Sequence, residues 1–114
     1  MYYVYILECN YGKLYTGYSA NLKKRIAQHK NGEVFSTKSK LPIELIFYEA
    51  FLSQADAKRR EMYFKTTSGK RALKIMLQEY FKKKNPGLRL VAKRLARVYV
   101  LAHERELREL GKMH

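Results

Sequence analysis

The chain has 114 residues, 46% of them apolar, and a formal net charge of +14 at pH 7. That length supports one domain around a single core, and the apolar share excludes an intrinsically disordered polymer. So large a positive excess favours an acidic partner, with nucleic acid ahead of an anionic membrane surface.

Residues 2–9, "YYVYILEC", are aromatic and β-branched, which predicts a strand. This opening has neither the charged start nor the apolar run of a signal peptide, and nowhere does the chain approach the ~20 apolar residues that cross a bilayer. Cys9 is the single cysteine, so an intrachain disulfide and a cysteine-built zinc site are excluded, and its apolar neighbours suit a small buried residue. A reducing, cytoplasmic setting without a membrane partner is the expectation. Asn10-Tyr11-Gly12 reads as a turn, with Gly12 able to take a positive φ, and residues 13–19, "KLYTGYS", return as a second strand. A three-residue loop sets Cys9 opposite Lys13, Leu7 opposite Tyr15 and Tyr5 opposite Gly17, all on one face of the hairpin. Gly17 is out of place there: glycine packs nothing inside a strand, and marks a bulge or a close approach by a ligand or another backbone.

"SANLKKRIAQHKNG" predicts a helix that Ser19 or Asn21 caps and Gly32 closes. Leu22 and Ile26 form its apolar stripe; Arg25 and His29, also four apart, run along the edge of that stripe. "EVFSTKSKLP" is a polar, basic loop. Residues 43–51, "IELIFYEAF", predict a third strand whose partly continuous apolar run suggests a central position. In "SQADAKRREMYFKTT" Ser53 caps a helix with Asp56 three residues on, close to a capping box. Ala57, Glu61 and Phe64 share one face of it, an unusual place for an acid. Ser68-Gly69 predicts a break, and residues 70–84 a further amphipathic helix that buries Leu73, Met76, Leu77 and Tyr80. Asn85-Pro86-Gly87 is a boundary signal, dividing a domain at 1–84 from a basic amphipathic helical extension at 85–114.

Four pieces of the chain, "YVYIL" at 3–7, "YTG" at 15–17, "KRIAQH" at 24–29 and "RRE" at 59–61, in this order and spacing resemble the GIY-YIG nuclease domain. The likeness is closest to its small stand-alone bacterial members and covers about residues 2–83. It implies an α+β fold, a small three-stranded antiparallel sheet flanked by helices, here followed by the C-terminal helix. The reading along the chain (strand, strand, helix, strand, helix, helix) agrees. It also implies divalent-metal-dependent cleavage of DNA phosphodiesters. On that resemblance Tyr15 is the general base or water-orienting group, assisted by Tyr5. Arg25 holds the scissile phosphate, His29 contacts phosphate or the attacking water, and Glu61 binds the metal, Mg²⁺ or Mn²⁺. The chain departs from the family pattern in reading Tyr-Val-Tyr at 3–5, in Thr16 within the second motif, and in Tyr18 where some relatives carry a lysine.

The chemistry is coherent. One carboxylate anchors a Mg²⁺ that keeps most of its waters, and a guanidinium fork suits phosphate. Tyrosine, with a free pKa of ~10, is an awkward base, which nearby cations (the metal, Arg25, a protonated His29) would help. Gly17 would clear space for the DNA backbone against the sheet. Lys23, Lys24, Lys38, Lys40, Lys58, Arg59, Lys65, Lys70 and Arg71 would supply sequence-independent phosphate contacts. Each residue taken singly also has a structural reading: strand aromatics at Tyr5 and Tyr15, a bulge at Gly17, helix-surface residues at Arg25 and His29, an i,i+4 pair of Glu61 with Lys65. The leading function is therefore an endonuclease that repairs or processes branched or damaged DNA. The alternatives are a non-catalytic nucleic-acid-binding module of the same fold, or an interaction protein whose C-terminal helix forms a homodimer or meets a targeting partner.

Overall fold

A computed structural model describes residues 1–84, which fall into two units, Met1–Thr66 and a second that begins at Thr67. The aromatic and β-branched opening forms β1 (Tyr2–Glu8), which a turn at Asn10–Gly12 joins to β2 (Leu14–Ser19). The expected register is the observed one: Tyr5 faces Gly17, Leu7 faces Tyr15, and the Cys9 N–H donates to the Lys13 carbonyl at 2.6 Å. Tyr11 as well as Gly12 takes a left-handed conformation in the turn, and its ring projects into solvent.

α1 (Leu22–Lys30) is capped by Asn21, whose side chain accepts from the Lys24 N–H at 3.2 Å; Ser19 instead braces Asn21. At the other end the Glu33 N–H returns to the Gln28 carbonyl and the Gly32 N–H to that of His29, a Schellman closure with Gly32 at φ 72°. β3 (Glu44–Phe51) pairs antiparallel with β1, so the strand order is β2-β1-β3 and the expected central position of β3 is corrected: β1 is central and β3 an edge. The apolar run that suggested otherwise has a local cause. Leu7 pairs with Leu45 but Ile6 with Phe47, leaving Ile46 as the extra residue of a bulge. Leu45 thereby joins the face of Tyr5 and Leu7, and Phe47 the opposite face with Ile6, so consecutive residues are apolar because both faces are covered.

One face carries α1. Tyr5, Leu7, Cys9, Ile26 and Ile43 are buried together there, with Tyr15, Leu22, Leu41 and Leu45 around them. The other face carries α2 (Gln54–Phe64), whose Ala57 and Phe64 are fully buried. The Phe64 ring meets Phe47 edge-on at 6.3 Å, and Arg60 lies over it at 4.3 Å while bonding Glu49 at 2.8 Å. Ser53 caps α2, but Asp56 pairs with Arg59 at 2.9 Å rather than completing a capping box.

In the second unit, α3 (Thr67–Met76) runs through Ser68 and Gly69, and the chain breaks at Leu77 before α4 (Gln78–Lys84). The expected break and single helix are both corrected. Serine and glycine sit in the first turn, where backbone N–H groups lack intrahelical partners in any case. Leu73 is buried, Leu77 and Tyr80 half-buried, and Met76 exposed. The extension expected at 85–114 lies outside the described residues. Among the described residues no helix is long and apolar enough to cross a membrane.

Candidate active site

The site is built around one phenol. Tyr5 projects from the central strand onto the α1 face, and Gly17, its partner on β2, is buried beneath it. A Cβ at Gly17 would fall on the Cζ, Cε2 and hydroxyl of Tyr5. The space Gly17 opens is thus filled by the protein's own ring, and the expected approach of a DNA backbone at that point is corrected. Tyr5 is fully buried. Its ring and hydroxyl are closed off from solvent by the protein.

Those neighbours come from three elements. The Tyr15 ring lies 6.4 Å from that of Tyr5 and 5.2 Å from the His29 imidazole, both in tilted or edge-on contact. The Arg25 guanidinium lies near enough to the Tyr5 hydroxyl to favour its ionised form. His29, fully buried, places Nε2 2.7 Å from the Tyr5 oxygen and Nδ1 2.7 Å from Oγ1 of Thr37, itself fully buried. In each of these two contacts a hydroxyl meets a ring nitrogen, and the imidazole tautomer sets which partner donates.

Burial pushes Tyr5 up to about 12, with the Tyr15 and Glu61 charges adding and Arg25 opposing. Burial, and then the Arg25 guanidinium, hold His29 down at about 4. Both groups are neutral at pH 7. His29 is thus uncharged at pH 7 with both ring nitrogens on protein hydroxyls, whereas the sequence reading has it charged beside the phenolate and in contact with phosphate or water. Thr37 is the site residue that sequence reasoning missed. It sits in a loop read as polar and basic, and the one signal for it was Val34 three residues before, an apolar residue whose burial draws that loop inward.

The solvent-facing groups are Tyr15, Arg25 and Glu61, each half-buried. Arg25 bonds Gln28 at 3.3 Å and lines a groove of about 390 Å³ with Tyr18, Asn21, Lys24 and Gln28. Among the described residues no carboxylate lies within ion-pair distance of it, so its fork is open to an anion. Glu61 comes from α2, on the far face of the sheet, yet its charge is felt at Tyr5. Its carboxylate is 3.4 Å from Lys65, the expected i,i+4 pair. Among the described residues no three His, Cys, Asp or Glu side chains gather to hold a metal. A lone, partly exposed carboxylate fits Mg²⁺ or Mn²⁺ with most waters retained, and does not fit a closed zinc cage.

The basic residues divide. Lys23 and Lys24 are exposed beside Arg25 on α1, and Lys40 is exposed in the following loop. Lys38 lies over Phe35 at 5.2 Å and Lys58 over Tyr18 at 5.5 Å. Arg59 and Lys65 are engaged by Asp56 and Glu61. Lys70 and Arg71 are exposed on α3, in the second unit.

Residues 1–74 match the model of the GIY-YIG catalytic domain. The chain is 40% identical over 75 residues to a UPF0213 protein of Staphylococcus saprophyticus, covering 65% of this chain and 92% of that one. It is 37% identical over 86 residues to a UPF0213 protein of Clostridium perfringens, covering 75% and 92%. The solution NMR structure of a UPF0213 protein from Bacillus halodurans is 38% identical over 64% of this chain and 82% of that one, with a TM-score of 0.42. The chain belongs to the GIY-YIG catalytic domain family, and with it carries a nuclease-type domain.

Proposed function

We propose that the chain is a divalent-metal-dependent DNA endonuclease that hydrolyses phosphodiester bonds in the repair or processing of branched or damaged DNA. The observation that carries this reading is the convergence of Tyr15, Arg25 and Glu61, all half-buried, around the buried Tyr5–His29 pair. Arg25 grips two oxygens of the scissile phosphate. Tyr15 orients the attacking water or takes its proton, as the water oxygen bonds phosphorus, one ester P–O bond breaks and the leaving oxygen takes up a proton from solvent. Tyr5 and His29 hold Arg25 and Tyr15 in place without meeting the substrate. A Mg²⁺ or Mn²⁺ held by Glu61 would neutralise charge on the phosphate. Lys23, Lys24, Lys58, Arg59 and Lys65 of the first unit would supply phosphate contacts, and so, in the second unit taken by itself, would Lys70 and Arg71.

The test is cleavage of labelled single-stranded, duplex, flapped and four-way-branched DNA with Mg²⁺, Mn²⁺ or EDTA. Metal-dependent products should fall at least about 100-fold in Tyr15→Phe and Glu61→Ala, the scale at which losing one catalytic group is felt. Binding without cutting under every metal would leave the non-catalytic binding module as the function. The role proposed for 85–114 is a homodimer contact or a landing site for a targeting protein, and sedimentation of the full chain beside one ending near Lys84 checks it.

A further inference from the structure

α1 covers Tyr5, Leu7 and Cys9 but leaves the first residues of that sheet face uncovered. There a second groove, of about 610 Å³, opens between α1 and the β1–β3 pair, its floor formed by Tyr3, Leu22, Ile26, Leu45 and Tyr48. Tyr48 pairs directly with Tyr5 across the sheet, so it stands on the same face, on the side away from Gly17. Tyr48 is 54% exposed, and its ring is met edge-on by Tyr3 at 6.2 Å and 60°. Lys23 and Lys30 line this groove and no acidic residue does. Seven positions apart on α1, they stand about 10 Å apart along its axis. The groove shares Ala20 and Asn21 with the groove that holds Arg25. The two are thus one surface folded over the start of α1, with a cation at one end and an exposed aromatic at the other.

We propose that this second groove binds a single-stranded nucleic-acid segment adjoining the cleaved phosphate, with a base stacked on Tyr48 and Lys23 and Lys30 on the backbone. The inference rests on the reading of the Arg25 groove as the scissile-phosphate site for its placement along the strand. Two features select this occupant. An exposed aromatic on a sheet face presents a π-surface that any unpaired base can stack on, whereas bases in a duplex are already stacked. A rim with two lysines and no acid takes an anionic backbone and repels a basic segment, including the chain's own 85–114, where basic residues outnumber acidic ones. A strand end or flap leaving the Arg25 groove would reach Tyr48 by crossing Ala20 and Asn21.

The experiment measures binding of the full chain to short fluorescein-labelled oligo(dT), oligo(rU) and duplex DNA in EDTA, where no cleavage interferes. Tyr48→Ala should weaken single-strand binding roughly tenfold and duplex binding by less than about twofold, and Tyr48→Phe should restore it. Comparable losses with oligo(dT) and oligo(rU) assign the groove to either nucleic acid, and a loss with one alone names the source. A 5-iodouracil oligonucleotide should photo-crosslink to Tyr48 or Tyr3. Unchanged single-strand affinity in Tyr48→Ala, an equal loss on duplex, or crosslinks only outside the groove overturns the proposal. So does a lighter sedimenting species in Tyr48→Ala, which would make the groove a contact between copies of the chain. Because these readouts need no catalysis, a Tyr48 effect beside a chain that cuts nothing would retain the groove and remove the nuclease reading. A chain that cuts but ignores Tyr48→Ala would do the reverse.

Discussion

At the scale of single residues, the buried chain Tyr5–His29–Thr37 sets the behaviour of the site. His29 binds a proton less readily folded, at about 4, than unfolded, at 6.5. Between those values the unfolded chain carries more protons, so the stability His29 supplies is whole above pH 6.5 and is lost as the pH falls toward 4. From pH 7 to pH 5 that loss amounts to roughly 2 kcal/mol. Urea midpoints at the two pH values should show it, and His29→Gln should flatten the difference; an equal difference in the variant would show that His29 is not its source. Tyr5 works in the opposite direction, its stabilisation present below pH 10 and lost as the pH rises toward about 12. Thr37→Val keeps shape but leaves Nδ1 of His29 buried without a partner, at a cost of about 1–3 kcal/mol. Thr37→Ser should recover most of it. Equal stability of the Val and Ser variants by urea titration would remove Thr37 from the network.

At the scale of elements, β2 is shaped by what β1 lays over it. Gly17→Ala would push a methyl into the Tyr5 ring, which cannot move without leaving His29 at 2.7 Å. Overpacking of this kind costs about 1–3 kcal/mol. The variant should therefore lose stability and cleavage together, as read by urea titration and the flap-cutting assay. A Gly17→Ala chain as stable and active as the parent would mean that the ring has room the geometry denies it. The bulge at Ile46 is the same kind of local device: one inserted residue turns Leu45 toward α1 and Phe47 toward α2, so a short edge strand serves two layers.

At the scale of the whole molecule, the net charge of +14 governs encounter more than specificity. Phosphate contacts release counterions, so duplex binding should weaken steeply with salt, each contact contributing about 0.9 to the log–log slope. Lys24 is exposed and lines the Arg25 groove, and Lys24→Ala should lower that slope by about one contact in an anisotropy titration. A slope unchanged by Lys24→Ala would place that lysine off the path of the nucleic acid, and a flat salt response in the parent would remove a polyanion as the partner.

The sequence by itself determined the three strands, the first two helices, the hairpin register and the family, because these rest on short-range signals. A strand period of two sets Tyr5 opposite Gly17 once the loop length is known, and Asn21 and Gly32 bound α1 through their own backbone chemistry. The continuous run at 44–47 and the Ser68-Gly69 pair misled, since a bulge and a helix first turn imitate a central strand and a chain break. What only the tertiary structure decided is which members of the motif reach solvent. Tyr5 and His29 carry the same motif signal as Tyr15, Arg25 and Glu61, yet α1 and the loop bearing Thr37 close over the first two and leave the others half open. Exposure and protonation depend on groups distant in the chain, and a residue pattern read along one dimension carries neither.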